Sequence, residues 1–149
     1  MLRSTIVRVR IVAVGKLKES FWREAVDEYL ARLRHYAEVS EVEVREGGDV
    51  AKALDKALPP RTRVVLLTID GTQRSSEDLA RFVDGCATRA EDLAFVIGGA
   101  DGLPRAVLDA HRDRLSFGPM TLPHRLARLV LVEQLYRAMT IRRGEPYHH

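Results

Sequence analysis

Short β-branched apolar runs alternate along this chain with longer stretches in which apolar residues recur every three or four positions. The run from Ile6 to Val14 stops at Gly15 and reads as a strand followed by a loop. Phe21, Ala25, Tyr29, Leu33 and Tyr36 then keep helical spacing, which predicts an amphipathic helix from Ser20 to Tyr36. A second strand is expected over 39–44, ahead of Gly47-Gly48. Asp49 is placed to cap a short helix through Leu58, and Pro59-Pro60 stops it.

Val64 to Ile69 is continuously apolar apart from Thr68, the pattern of a strand covered on both faces. Ser75 with Asp78 forms a capping-box pattern that opens a helix through about Arg89. Leu93–Ile97 is a further buried strand with glycines at its carboxyl end. Pro104–Ala110 reads as a brief helix, Leu115–Phe117 as a last strand, and Arg125–Ile141 as a helix apolar on most sides. Strands and helices alternate throughout, so the expected class is α/β: a parallel sheet with helices on both faces, in one domain over 1–149.

Composition changes this picture little. Twenty-four Lys and Arg against twenty-one Asp and Glu leave a net charge of +3, compatible with an anionic partner without demanding one. The single Cys86 cannot form an intrachain disulfide, which points to a reducing cytoplasm. No His/Cys/Asp cluster has ligand spacing, so no metal is expected. No apolar stretch approaches the roughly twenty residues of a membrane span.

In open α/β sheets, ligands sit beyond the carboxyl ends of strands. Three segments qualify: Asp70-Gly71-Thr72, the turn Gly98-Gly99-Ala100-Asp101-Gly102, and 117–124. Glycines at 98, 99 and 102 are expected to permit positive φ and close approach of a ligand to the backbone. The IGGADG turn lacks the dinucleotide-binding glycine spacing, and neither a Walker sequence nor a nucleophile elbow occurs. An ordinary dehydrogenase, ATPase or hydrolase is therefore unsupported.

The combination of motifs is more specific than any one of them. Leu67-x-Ile69-Asp70-Gly71, Ile97-Gly98-Gly99 with Gly102, Leu115-Ser116, Met120-Thr121-Leu122-Pro123-His124 and the closing Pro146-Tyr147-His148 resemble the RlmH (YbeA-like) family of SPOUT methyltransferases. The opening Arg10–Lys18 and the helix with Arg128, Glu133, Leu135, Tyr136, Arg137 and Ala138 fit the same family, so the resemblance runs from about Val9 to the end. It implies a deep trefoil knot near the carboxyl end, a homodimer, and methylation of N3 of a pseudouridine in helix 69 of large-subunit (23S) ribosomal RNA with S-adenosylmethionine. Carried onto this chain, it assigns the cofactor pocket to Leu67, Gly98, Gly99, and the loop Phe117, Gly118, Pro119, Met120, Thr121 and Leu122. It brings Tyr147 and His148 to the active site.

Methyl transfer from a sulfonium needs positioned reactants and an exit for the N3 proton, but no metal. His148, His124, or Glu133 through water are the candidate proton acceptors. Glu133 on its apolar helix calls for a partner such as Arg128 or Arg137, or for a dimer interface. Tyr147 offers a stacking face for an unpaired base, and Arg142 and Arg143 suit phosphate contacts. With His124, they form the expected substrate surface. The modest net charge further predicts recognition of assembled 70S ribosomes rather than naked rRNA. A catalytically silent ribosome- or RNA-binding module on the same fold is the alternative.

Overall fold

The structure is a computed structural model, and it describes residues 6–148. Five strands, β1 (Arg8–Val14), β2 (Glu38–Val44), β3 (Thr62–Gln73), β4 (Asp92–Ile97) and β5 (Arg114–Ser116), form one sheet in the order β2-β1-β4-β3-β5. Every pairing is parallel, as the alternation of strands and helices predicts. Helices α1 (Ser20–Leu33), α2 (Val50–Ala57), α3 (Ser76–Thr88), α4 (Arg105–Ala110) and α5 (His124–Arg142) connect and follow them, and Pro146–His148 makes a closing 3-10 turn.

The two-residue period of each strand divides the core. Val9, Ile11 and Ala13 of β1, with Leu93, Phe95 and Ile97 of β4, pack beneath α1, α3 and α5. Val12, Val14 and Val96 turn the other way, toward Leu54 of α2 and Val107 of α4. Helices thus cover both faces. Helix α5 lies against both α1 and α3, and every one of its residues is at least partly buried. Its Leu131, Val132, Leu135, Ala138 and Met139 are buried, each larger side chain contributing roughly 1.5–3 kcal/mol on leaving water.

Local signals place most boundaries. Asp49 accepts from the backbone N–H of Lys52, and Ser75 Oγ accepts from that of Asp78, so both anticipated caps form. Helix α1 ends at Leu33, one turn short of the expectation, and Tyr36 sits in the turn beyond it. The larger departure is β3. Asp70-Gly71-Thr72 is not a loop after that strand but part of it, because Leu115 of β5 pairs first with Leu67 and again with Thr72. Residues 68–71 bow out of the ladder between those pairings. Gly71 permits the return: a Cβ there would lie 2.9 Å from the Leu115 backbone.

Phe95 is fully buried at the centre of the sheet. Phe95→Ala should lower unfolding free energy by about 3–5 kcal/mol in urea titration, with an unchanged m-value. A loss under about 1 kcal/mol would contradict the packing described.

Candidate active site

The carboxyl ends of β3, β4 and β5 open on a cavity of about 740 Å³, a volume suited to a cofactor-sized ligand. Its walls come from the bowed part of β3, the glycine turn after β4, helix α4, strand β5 with the loop 117–123 after it, and the first turn of α5. Leu67, Gly98 and Gly99 all line it, as do Phe117, Gly118, Met120, Thr121 and Leu122. Pro119, expected in the same set, does not. Met120 is 81% exposed and stands at the rim, whereas Leu122 is partly buried.

Backbone geometry shapes these walls. Gly98 and Gly99 do not adopt positive φ, contrary to expectation; only Gly102 of that turn does, at 76°. Gly98 is required for space instead. A Cβ on it would lie 2.7 Å from the Gly102 carbonyl carbon, so any side chain must push the turn open. On Gly99 a Cβ would meet Glu46 Oε1 at 2.9 Å.

The buried Ser116 hydroxyl holds the opposite wall. It donates to the Ile69 carbonyl at 2.7 Å and accepts from the Gly118 N–H at 3.0 Å, tying the bowed strand to the loop. Ser116 stood in the motif without a role, and only the tertiary pairing supplies one.

The first turn of α5 is fixed by Arg128, whose side chain is 2% exposed. Its Nη1 lies 2.6 Å from Glu43 Oε2 and 3.1 Å from Glu41 Oε2, and its Nη2 donates to the Gly15 carbonyl at 2.9 Å. One turn earlier, His124 lines the cavity. Burial, followed by the positive charges of Arg125 and Arg128, holds its imidazole below the ordinary histidine range.

The tail lies elsewhere. Tyr147 donates to Glu133 at 2.9 Å, meets Tyr136 edge-on with ring centroids 4.6 Å apart, and carries the Arg137 guanidinium over its ring. Burial and the Glu133 carboxylate push its phenol well above the ordinary tyrosine range, so Tyr147 stays a hydrogen-bond donor. Glu133 also pairs with Arg137 at 2.8 Å. The Arg128 alternative for Glu133 is not used, because Arg128 is taken by β2. Arg142 pairs with Asp84 at 3.0 Å, and Arg143 covers the Tyr36 ring. Tyr147, Arg142 and Arg143 therefore do not line their own chain's cavity. His148 has its backbone in the closing turn, and its side chain lies outside the described residues, as does His149.

The cavity also contains charged residues outside the set assigned to the cofactor. Asp70, Arg105, Asp109 and Arg114 line it. Asp70 was visible in a motif; the other three are ordinary surface charges until the sheet brings their elements together.

A family profile described as predicted SPOUT methyltransferase matches residues 7–148. Relatives named ribosomal RNA large subunit methyltransferase H include two that match nearly the whole chain. One, from Anaeromyxobacter sp. (strain Fw109-5), is 47% identical and covers 95% of this chain and 99% of its own length. The other, from Sorangium cellulosum (strain So ce56), is 46% identical and covers 96% and 100%. A crystal structure described as a probable methyltransferase from Bordetella pertussis Tohama I superposes with a TM-score of 0.62. It is 15% identical and covers 91% of this chain and 96% of its own, a likeness of fold.

The environment of His124 gives a measurable consequence. Because folding disfavours its charged form, its NMR titration midpoint should fall below about 6.5, and protonation should subtract stability as pH drops through that value. A midpoint above 6.5, read against a His124→Gln control, would contradict the assigned surroundings.

Proposed function

The chain belongs to the SPOUT methyltransferase family, and we propose that, as a single domain over 1–149, it methylates large-subunit ribosomal RNA with S-adenosylmethionine held at the strand ends. The observation that carries this reading is the convergence of Leu67, the Gly98-Gly99 turn and the 117–122 loop on one cavity. The relatives' names supply the substrate class. The finer target is N3 of a pseudouridine in helix 69 of 23S RNA, on assembled ribosomes in the cytoplasm. The carboxyl-terminal trefoil knot belongs to the same proposal.

The residues present suit that cofactor. Leu67, Leu115, Phe117 and Leu122 offer apolar walls for an adenine ring, and the turn at Gly98 exposes backbone at its edge. When bound, S-adenosylmethionine supplies an electrophilic methyl group. The chain's own work is to hold both reactants in line and take up one proton. Neutral His124, at the cavity wall, is suited to accept it. Glu133 is already committed to Arg137 and Tyr147, which leaves it a structural part.

The chain functions as a homodimer in this reading. Tyr147 and His148 then reach the cavity of the partner rather than their own, with Arg142 and Arg143 on the RNA side. Support comes from the position of the tail, which rests on α5 away from its own cavity.

Gly98→Val should abolish S-adenosylhomocysteine binding in calorimetry, because the side chain must displace Gly102. Methyl transfer should be seen with 70S ribosomes, and be lost on ribosomes lacking the target pseudouridine. Equal transfer to naked 23S RNA would overturn the composite-surface part. Cofactor binding without any transfer would favour the non-catalytic module.

A further inference from the structure

The loop after β1 carries two cations and an exposed ring that take no part in the chemistry proposed above. Lys16 and Lys18 are exposed, and Leu17 between them is buried. Among the described residues neither lysine has a carboxylate within ion-pair distance, whereas the charges around them are paired. Arg23 pairs with Asp27 and Glu41, and Glu19 is engaged by Arg125 at 3.4 Å. Phe21, at the start of α1, is 62% exposed, with the Trp22 ring centroid 5.4 Å from its own. Ile69 and Met120, also exposed, line the cavity; Phe21 does not.

The loop is held in place. Gly15 turns the chain at a φ of 93°; its N–H donates to the Val44 carbonyl at 2.7 Å, and its own carbonyl accepts from Arg128 at 2.9 Å. The Leu17 N–H donates to Glu43 Oε2 at 3.1 Å. A backbone already ordered in this way offers its two ammonium groups to a partner at little further entropic cost. Their Cα atoms lie at most about 7 Å apart, so they meet neighbouring charges of one ligand. The loop also stands at the mouth of the cavity. Strand β1 pairs with β4, Ala13 opposite Ile97, which puts its carboxyl end beside the glycine turn. The Glu19–Arg125 pair joins it to the first turn of α5, where His124 lines the cavity. The Glu46 carboxylate sits between Gly15 and Gly99, against the glycine turn.

Resting on the RNA reading, we infer that Lys16, Lys18 and Phe21 form a docking surface for single-stranded RNA at the mouth of the cavity. The lysines take neighbouring phosphates, and the Phe21 ring stacks on an unpaired base. The pairing of features selects this occupant. Two unpaired ammonium groups suit any polyanion, but an acidic protein segment leaves the exposed ring without a matching face. An unpaired base supplies both the face and, through its own backbone, the phosphates.

Co-sedimentation of the full chain with 70S ribosomes, S-adenosylhomocysteine present, tests this. The double variant Lys16→Gln with Lys18→Gln should weaken binding about tenfold and flatten the slope of log affinity against log salt by about one to two. Phe21→Ser should weaken binding at least about fivefold with the salt slope unchanged, and Phe21→Tyr should keep it. Every variant should retain the unaltered affinity for S-adenosylhomocysteine in calorimetry and the unaltered sedimentation of the chain alone. Unchanged ribosome binding would overturn the surface, as would a loss of S-adenosylhomocysteine affinity, or a lysine variant that weakens binding without changing the salt slope. A smaller species for Phe21→Ser alone would assign the ring to a contact between copies of this chain, and would overturn it too. An unaltered chain that binds S-adenosylhomocysteine but no ribosomes would overturn the RNA reading itself, and the surface with it.

Discussion

Arg128 is the largest fully buried side chain among the described residues, and its charge joins parts of the chain that are far apart in sequence. It stands on α5, reaches two carboxylates on β2, and donates to the carbonyl that ends the β1 segment. Glu41 and Glu43 present their side chains together because residues two apart share one face of a strand. Arg23 of α1 approaches the same carboxylates from outside, at 2.6 Å from Glu41. Removing one member of such a buried set leaves an uncompensated charge, at a cost of about 3–5 kcal/mol. The set therefore specifies one position for the start of α5, and His124 and Ala127 enter the cavity from that start.

A rigid frame on one side meets a stitched wall on the other. The frame is the pair of cores about β1 and β4, with Phe95 and Ile11 fully buried. The wall is held by fewer, directional contacts: the Ser116 hydroxyl between Ile69 and Gly118, and the fit of Gly98 against Gly102. Polar contacts suit this rim because the backbone groups released where β3 leaves the ladder need partners. Ser116 satisfies one of them and fixes the shape of the opening in the same step.

Strand and helix identities were legible because each follows a local rule. The two periods gave the elements, Asp49 and Ser75 marked helix starts, and Pro59-Pro60 marked a stop. The course of β3 past Ile69 was not legible, because Asp70-Gly71-Thr72 carries turn chemistry and its strand character comes only from pairing with Leu115. At the cavity, the glycine and proline motifs showed through, since special backbone positions leave a trace in composition. Arg105, Asp109 and Arg114 did not, because an arginine or aspartate on a short element looks the same whether it faces solvent or a ligand. The contacts of the tail within its own chain were not legible for a related reason. Tyr147 offers a ring and a hydroxyl to any partner, and within this chain Tyr136, Arg137 and Glu133 engage them.

The same pairing habit bears on how the chain meets a polyanion. Arg8, Arg23, Arg63, Arg89, Arg128, Arg137 and Arg142 each lie within ion-pair distance of a carboxylate, so much of the positive charge is spoken for inside the fold. Affinity for bare RNA grows with the number of phosphates neutralised, and a surface of self-paired arginines neutralises few. Specificity on such a protein has to come from shape and from the cavity. An isolated RNA strand supplies mainly charge.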